Sequence, residues 1–193
     1  MAFTVGFDIG HGKDTYPKTG GKGVPGMAEY SFNQAIMKVA QPIVEEHGVK
    51  VVKAQPFDAN DVGLHRRTNI YNAEDCDIVM SGHADANGNE NARGFWGFYW
   101  HTSKEGKRLA DIWAKHLGNE TGTRHRGNQQ SKRGAWTNFH MVRETKMPAV
   151  LMEHGFMTNA QDLKLLKSNK FREQCGIATV SYTHLTLPTI CSV

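Results

Sequence analysis

Phe3, Val5, Phe7 and Ile9 alternate with Thr4, Gly6 and Asp8, the period-two spacing of a half-buried strand. Gly10-His11-Gly12 ends that run. A loop rich in Gly, Lys and Pro extends to about Met27, and beyond it Phe32, Ile36, Val39, Ala40 and Ile43 recur at helical spacing. Pro42 removes one backbone donor, which predicts a kink in that helix. Gly48 reads as its C-cap and Val49 to Val52 as a second strand. A helix is predicted from Asn60 or Asp61 toward Ala73, carrying Leu64, Arg67 and Tyr71. Ile78-Val79-Met80, closed by Ser81-Gly82-His83, suits a strand buried on both faces.

Farther along, Gly94 to Trp100 is aromatic and extended, and Gly106 to Leu117 reads as a helix with Leu109, Ile112 and Trp113 inward. Trp96, Tyr99 and Trp100 are assigned to core and cross-strand packing rather than to a sugar platform. The polar, basic stretch from Gly118 to Gly134 is expected to form a long loop over the site. Phe139 to Val142 is predicted as a short strand and Ala149 to Met152 as a further one, followed by helices from about Ala160 to Leu166 and from Lys170 onward. Strands alternating with helices at this spacing predict an α/β fold: a single domain with a twisted, mostly parallel or mixed sheet and helices on both faces. From residue 180 to 193 the chain loses helical periodicity and carries no acidic or basic side chain. That segment resembles a cloning or assembly scar in place of an authentic C-terminus, so the domain is drawn over residues 1–179 and the tail is left out of the fold.

Composition narrows the field only modestly. With 193 residues, 39% hydrophobic and 22% charged, the chain suits one globular domain. No apolar stretch approaches a membrane span, and no secretory signal is read at the start. The expectation is synthesis in a cytoplasm. Cys76, Cys175 and Cys191 lack close spacing, which favours free buried thiols over a disulfide framework or a cysteine metal site. A net charge of +4 and a pI near 9.0 favour anionic partners, either nucleic acid or wall polymer.

Candidate chemistry changes the picture more. His11 and His83 each follow an extended apolar run, Glu153 ends a third, and Glu29 opens the first helix. Ligands of open α/β sheets bind outside the carboxyl ends of the strands, so these groups are expected to face one another. Zinc catalysis takes three nitrogen or oxygen ligands at roughly 2.0 to 2.2 Å and leaves a fourth position open. His11, Glu29 and His83 can supply that set. Glu29 precedes Phe32 by three residues and Ile36 by seven, on the buried stripe of its helix. A carboxylate aimed at a core is costly unless a cation meets it. Each residue also has a plainer reading: Glu29 as an exposed first-turn acid favoured by the helix dipole, His11 as a loop side chain, His83 as a hydrogen-bonded core histidine.

Together, Gly10-His11-Gly12, Glu29, Leu64-His65-Arg66-Arg67-Thr68, Asp77 through Ser81-Gly82-His83-Ala84-Asp85, and Met147-Pro148-Ala149-Val150-Leu151-Met152-Glu153-His154-Gly155-Phe156-Met157-Thr158-Asn159 resemble the zinc-dependent N-acetylmuramoyl-L-alanine amidases of the type 3 family. The likeness spans about Thr4 to Ala178. It implies that His11, Glu29 and His83 bind Zn²⁺ and that Glu153 is the catalytic carboxylate. It also implies a peptidoglycan substrate, cut between the muramic lactyl group and L-alanine, as in phage endolysins or sporulation autolysins. Lys13, Gly82 and Asp85 depart from the common family pattern and bear on loop contacts and substrate preference. His154 is expected to alternate away from the cleft.

Arg93, Arg124, Arg126, Lys132 and Arg133 are expected to flank the cleft, and Arg126 or Arg143 to bind stem-peptide carboxylates through guanidinium geometry. A C-terminal wall-binding module absent from this chain is a further expected partner; nucleic acid and membrane insertion are not expected. Two rival readings remain: a zinc peptidase acting on stem-peptide or cross-bridge amides, and a non-catalytic module binding anionic wall polymer.

Overall fold

A computed structural model describes residues 2–18 and 22–190, with side chains through residue 180. The strands are β1 (Thr4–Ile9), β2 (Gly23–Val24), β3 (Met27–Ala28), β4 (Lys50–Val52), β5 (Ile78–Asp85), β6 (Trp96–Trp100), β7 (Gln129–Ser131) and β8 (Ala149–Phe156). The helices are α1 (Glu29–Glu46), α2 (Leu64–Ala73), α3 (Lys104–Thr121), α4 (His140–Glu144), α5 (Ala160–Leu166) and α6 (Asn169–Ile190). Six strands form one sheet in the order β4-β1-β5-β8-β6-β7, and β2 and β3 make a separate small hairpin. Strands β4, β1, β5 and β8 run parallel, whereas β6 pairs antiparallel with β8 and parallel with β7.

This is the single mixed α/β sheet expected from the alternation of elements. Helices α1, α3 and α6 pack together on one face, α2 and α4 on the other. Two apolar cores result: Phe7, Phe32, Ile36, Phe95, Trp113 and Met152 belong to the first, and Tyr71, Val79, Phe98, Met141 and Leu151 to the second. Covering both faces explains why all eight residues of β8 are buried. Along α1, Phe32, Ile36, Ala40 and Val44 supply the inward stripe, and the helix continues through the exposed Pro42. Gly82 lets α1 lie close on β5, since a Cβ there would come within 2.8 Å of the Ile36 side chain.

Several local expectations give way to tertiary packing. The 139–142 segment is not a strand: α4 begins at His140 and turns Met141 and Val142 into the second core. A short apolar run has no period long enough to separate the two forms. Helix α2 starts at Leu64 rather than near Asn60, because the Asp61 carboxylate is engaged by Arg67 instead of capping the helix. The 118–134 stretch is not one loop either; α3 continues to Thr121, where Gly122 closes it in a left-handed conformation, and β7 extends the sheet edge. Helix α6 runs past the expected boundary at residue 179 to Ile190; Val180 is buried in the first core, and the side chains of the tail beyond it lie outside the described residues, as does Cys191. Cys76 and Cys175 are free and buried. Among the described residues, no helix is long and apolar enough to cross a membrane.

Candidate active site

Strand order places the chemistry. Because β1, β5 and β8 are neighbours, their carboxyl-end residues meet above one edge of the sheet: Ile9 pairs with Gly82, and His83 with Glu153. His83 and Glu153 therefore lie within their strands rather than beyond them. Glu29 is the first residue of α1, 4% exposed, and points at the two imidazoles. Its Oε2 lies 3.1 Å from His11 Nε2, and its Oε1 accepts from His83 Nδ1 at 2.8 Å. Asn33 Nδ2, one turn along α1, adds a hydrogen bond to Oε1 at 3.2 Å and the Ala84 amide another at 3.3 Å. Burial pushes the Glu29 carboxyl up, but the hydrogen bonds and charges of His11 and His83 outweigh it and hold the group well below the usual carboxylate range.

The exposed-acid reading of Glu29 is thereby excluded. One ligand atom from each of His11, Glu29 and His83 lies within 4.8 Å of the others, the one such three-residue group among the described residues. Tetrahedral zinc bonds of about 2.0 to 2.1 Å require donors roughly 3.4 Å apart, so small side-chain adjustments suffice for this set to hold a metal.

The backbone around His11 is built for that meeting. His11 itself has φ 64°, a left-handed conformation that disfavours a side chain bearing a Cβ. The neighbouring glycine serves a different purpose: a Cβ on Gly10 would fall 2.2 Å from the His83 ring. Arg67 secures the bend. Its guanidinium, almost fully buried, donates to the carbonyls of Ile9 at 2.5 Å and His11 at 3.1 Å, to Asp8 at 3.0 Å, to Gln55 at 2.6 Å and to Asp61 at 2.6 Å. Burial works against the cation, but the charge and hydrogen bond of Asp8 together with the charge of Asp61 outweigh it and raise its pKa. Gln55 Nε2 binds the same His11 carbonyl at 2.6 Å. Arg67 could have been singled out from the sequence, since it shares the inward face of α2 with Tyr71, as Glu29 shares that of α1 with Phe32. Gln55 and Asn33 left no such signal.

Glu153 completes the cleft from β8. It is 8% exposed, it lines the cavity with the three groups above, and its Oε2 is buried with no hydrogen-bond partner among the described residues. Burial raises its carboxyl well above the ordinary value, with the charges of Asp85 and Glu29 adding to the effect. His154 points the other way, as alternation predicts. It is wedged against Phe32 and Trp113 and donates from Nδ1 to the His83 carbonyl at 3.1 Å.

The cleft, of about 540 Å³, has an aromatic wall opposite the histidines. Trp96, assigned from sequence to core and cross-strand packing, packs against the second core and also lines the cleft, donating from Nε1 to Asp85 Oδ2 at 3.0 Å. Trp136, Phe139 and His140 also line it and carried no advance signal, because their approach depends on how the 132–139 loop folds back. Tyr99 is buried, as expected. Arg126 stacks over the Trp96 ring at 4.7 Å and donates to the Arg93 carbonyl at 3.0 Å, just behind the wall. Arg143 is turned to Glu144 at 2.5 Å and to Asn138 and does not line the cleft.

Comparison with known proteins places this arrangement. The N-acetylmuramoyl-L-alanine amidase family profile matches residues 5–181. N-acetylmuramoyl-L-alanine amidase LytC of Bacillus subtilis is 30% identical over 185 residues, covering 93% of this chain and 35% of LytC. The chain thus spans about a third of that relative's length. The catalytic domain of CwlV, the N-acetylmuramoyl-L-alanine amidase from Bacillus (Paenibacillus) polymyxa var. colistinus, superimposes with a TM-score of 0.83 at 26% identity, over 97% of this chain and 99% of that one. The N-acetylmuramoyl-L-alanine amidase from Clostridium difficile 630 gives 0.84 at 25% identity, over 97% of each chain.

Proposed function

The chain belongs to the N-acetylmuramoyl-L-alanine amidase family, and from that premise we propose that it hydrolyses the amide between the muramic lactyl group and L-alanine of the peptidoglycan stem peptide, with Zn²⁺ held by His11, Glu29 and His83. The observation that carries this reading is Glu153 Oε2, a buried carboxyl oxygen without a hydrogen-bond partner among the described residues, beside a His-Glu-His group that can take a metal. Such an orphaned acceptor is costly in a merely structural site.

Bound zinc supplies Lewis acidity, polarising the amide carbonyl and lowering the pKa of water toward about 7. Glu153 carries the proton: Oε2 takes it from the attacking water and delivers it to the departing alanine nitrogen. Were His11, Glu29 and His83 to hold a cation, its charge would oppose the upward push that burial, Asp85 and Glu29 exert on Glu153 and leave that carboxylate available as a base. Glu29 is held ionised by its imidazole neighbours and so is ready to bind a cation. Asn33 and the Ala84 amide fix its orientation. Arg126, stacked over Trp96, has a smaller proposed part in attracting stem-peptide carboxylates, whereas Arg143 is turned to Glu144 and Asn138 and is given none.

Product analysis tests the reaction. Digestion of purified wall should release stem peptides with a free N-terminal L-alanine, whereas intact muramoyl-alanine with new internal peptide ends would establish a zinc peptidase. Metal content should be one Zn²⁺ per chain, with chelator inhibition reversed by Zn²⁺. A Glu153→Ala protein that retains its metal but clears walls at the parental rate would remove the proposed mechanism and favour a different proton carrier.

A further inference from the structure

Trp136 is the largest exposed hydrophobic side chain among the described residues, with 71% of its surface open, and it lines the same cleft as Glu153. Such exposure inside a cleft differs from a stray surface apolar residue, because the ring is held in place. Its centroid lies 5.7 Å from that of Trp96 and 5.7 Å from that of Phe98, and Phe139 meets it edge-on at 6.5 Å. Trp96 is in turn fixed by its hydrogen bond to Asp85 and by the Arg126 guanidinium above its ring.

The sheet sets the distance of this platform from the reacting group. Trp96 pairs directly opposite Glu153 across β6 and β8, and opposed residues share a face with Cβ atoms about 4.5 to 5.5 Å apart. One aromatic step beyond Trp96 lies Trp136. The wall therefore begins beside the proton carrier and ends about one ring farther out, the scale of a single sugar unit.

We infer that Trp136, backed by Trp96, is the stacking platform for a pyranose ring of the glycan strand next to the amide that is cut. A pyranose presents a flat face of C–H bonds with slight positive charge, which complements the negative face of an indole. L-alanine, on the other side of the scissile bond, offers only a methyl group and needs no such surface. The cleft is also large enough, since binding sites for molecules of this size span about 300 to 1,000 Å³. This assignment rests on the amidase reading, because it places sugar and peptide on opposite sides of Glu153.

The test uses three proteins and two measurements. Calorimetric titration with a peptide-free oligosaccharide of alternating N-acetylglucosamine and N-acetylmuramic acid needs no turnover. Parent and Trp136→Tyr should bind it, and Trp136→Ala should bind about tenfold more weakly, the factor given by about 1.4 kcal/mol of lost contact. Hydrolysis is then compared for a disaccharide-peptide and a sugar-free lactoyl-peptide of the same stem. Trp136→Ala should raise KM about tenfold for the first substrate only, with kcat within about twofold. Equal KM increases for both substrates would assign the wall to the lactyl or peptide side and overturn the inference, as would glycan binding unaffected by Trp136→Ala. Should the alanine variant not fold, Trp136→Leu, apolar without a flat face, is expected to lose glycan binding to the same degree. Absence of free N-terminal alanine with the parent would refute the amidase reading, while the oligosaccharide titration still decides the platform.

Discussion

The two walls of the cleft are built by opposite means. On the His-Glu-His wall, Glu29 is bound by two imidazoles, an amide side chain and a backbone N–H, and the loop under His11 is clamped by Arg67 and Gln55. On the aromatic wall, Trp136 is held by ring contacts with Trp96, Phe98 and Phe139 and leaves most of its surface open. Hydrogen bonds in a low dielectric are directional and costly to break, so the first wall has one geometry. Ring packing is less directional, so the second can adapt to the shape of a bulky partner. Chemistry needs the former and recognition of a polymer tolerates the latter.

The sharpest way to break this contrast lies at the seam between the walls. Glu153→Gln keeps the shape of the side chain but removes the proton carrier, and kcat should fall about 10²- to 10⁴-fold with metal content unchanged. A rise in KM with kcat unchanged would move Glu153 from the chemistry to the recognition side.

Next in size is the clamp beneath the ligands. Arg67→Met leaves Asp8 buried without its cation, and Ser81 alone bonded to it at 2.5 Å. Unfolding in urea should show a loss of about 3 to 5 kcal/mol. Zinc affinity of the remaining folded protein should drop about 10- to 100-fold, since the His11 loop loses its anchor. Unchanged affinity would mean that the left-handed turn at His11 holds itself.

A third probe is pH. His154 stands behind the ligand wall with its pKa lowered to about 4 by burial, against an ordinary 6.5. The unfolded chain takes up the proton first, so stability is full above about pH 6.5 and declines as pH falls toward 4, by about 3 kcal/mol in all. His154→Gln should flatten that part of the stability profile relative to the parent. Superimposable profiles for the two proteins would show that His154 is not held neutral by the fold.

The smallest effect is expected at the rim. Arg143 is already bonded to Glu144 and Asn138, so Arg143→Ala should change stability by under about 1 kcal/mol. Its KM for disaccharide-peptide should stay within about twofold of the parent, whereas a tenfold rise would extend the recognition surface past the aromatic wall.

Legibility in the sequence follows the same divide. The strands carrying His83 and Glu153, and helix α5 from Ala160 to Leu166, were readable because continuous apolar runs and capping residues act locally; Asn159 accepts from the amides of Gln161 and Asp162 as such a cap should. Glu29 was readable because a charge on an apolar stripe violates the local pattern. Trp96 packs against the second core as read, but its place on the cleft was not legible, since an aromatic residue in a strand looks the same whether the next layer covers it or stops short. The 139–142 run and β7 were missed because each is only a few residues long and takes its form from neighbours distant in sequence.

By itself, then, the sequence determined the periodicities of the α/β fold and the presence of two histidines and two glutamates toward the carboxyl ends of its strands and the start of its first helix, for those depend on near neighbours along the chain. Only the tertiary structure decided that Gly10 would make room for the His83 ring, that Arg67 would grip the carbonyl under His11, and that Trp136 would stand open beside Trp96. Those relations join residues tens of positions apart, and what fixes them is the strand order and close packing of the whole domain rather than any local preference.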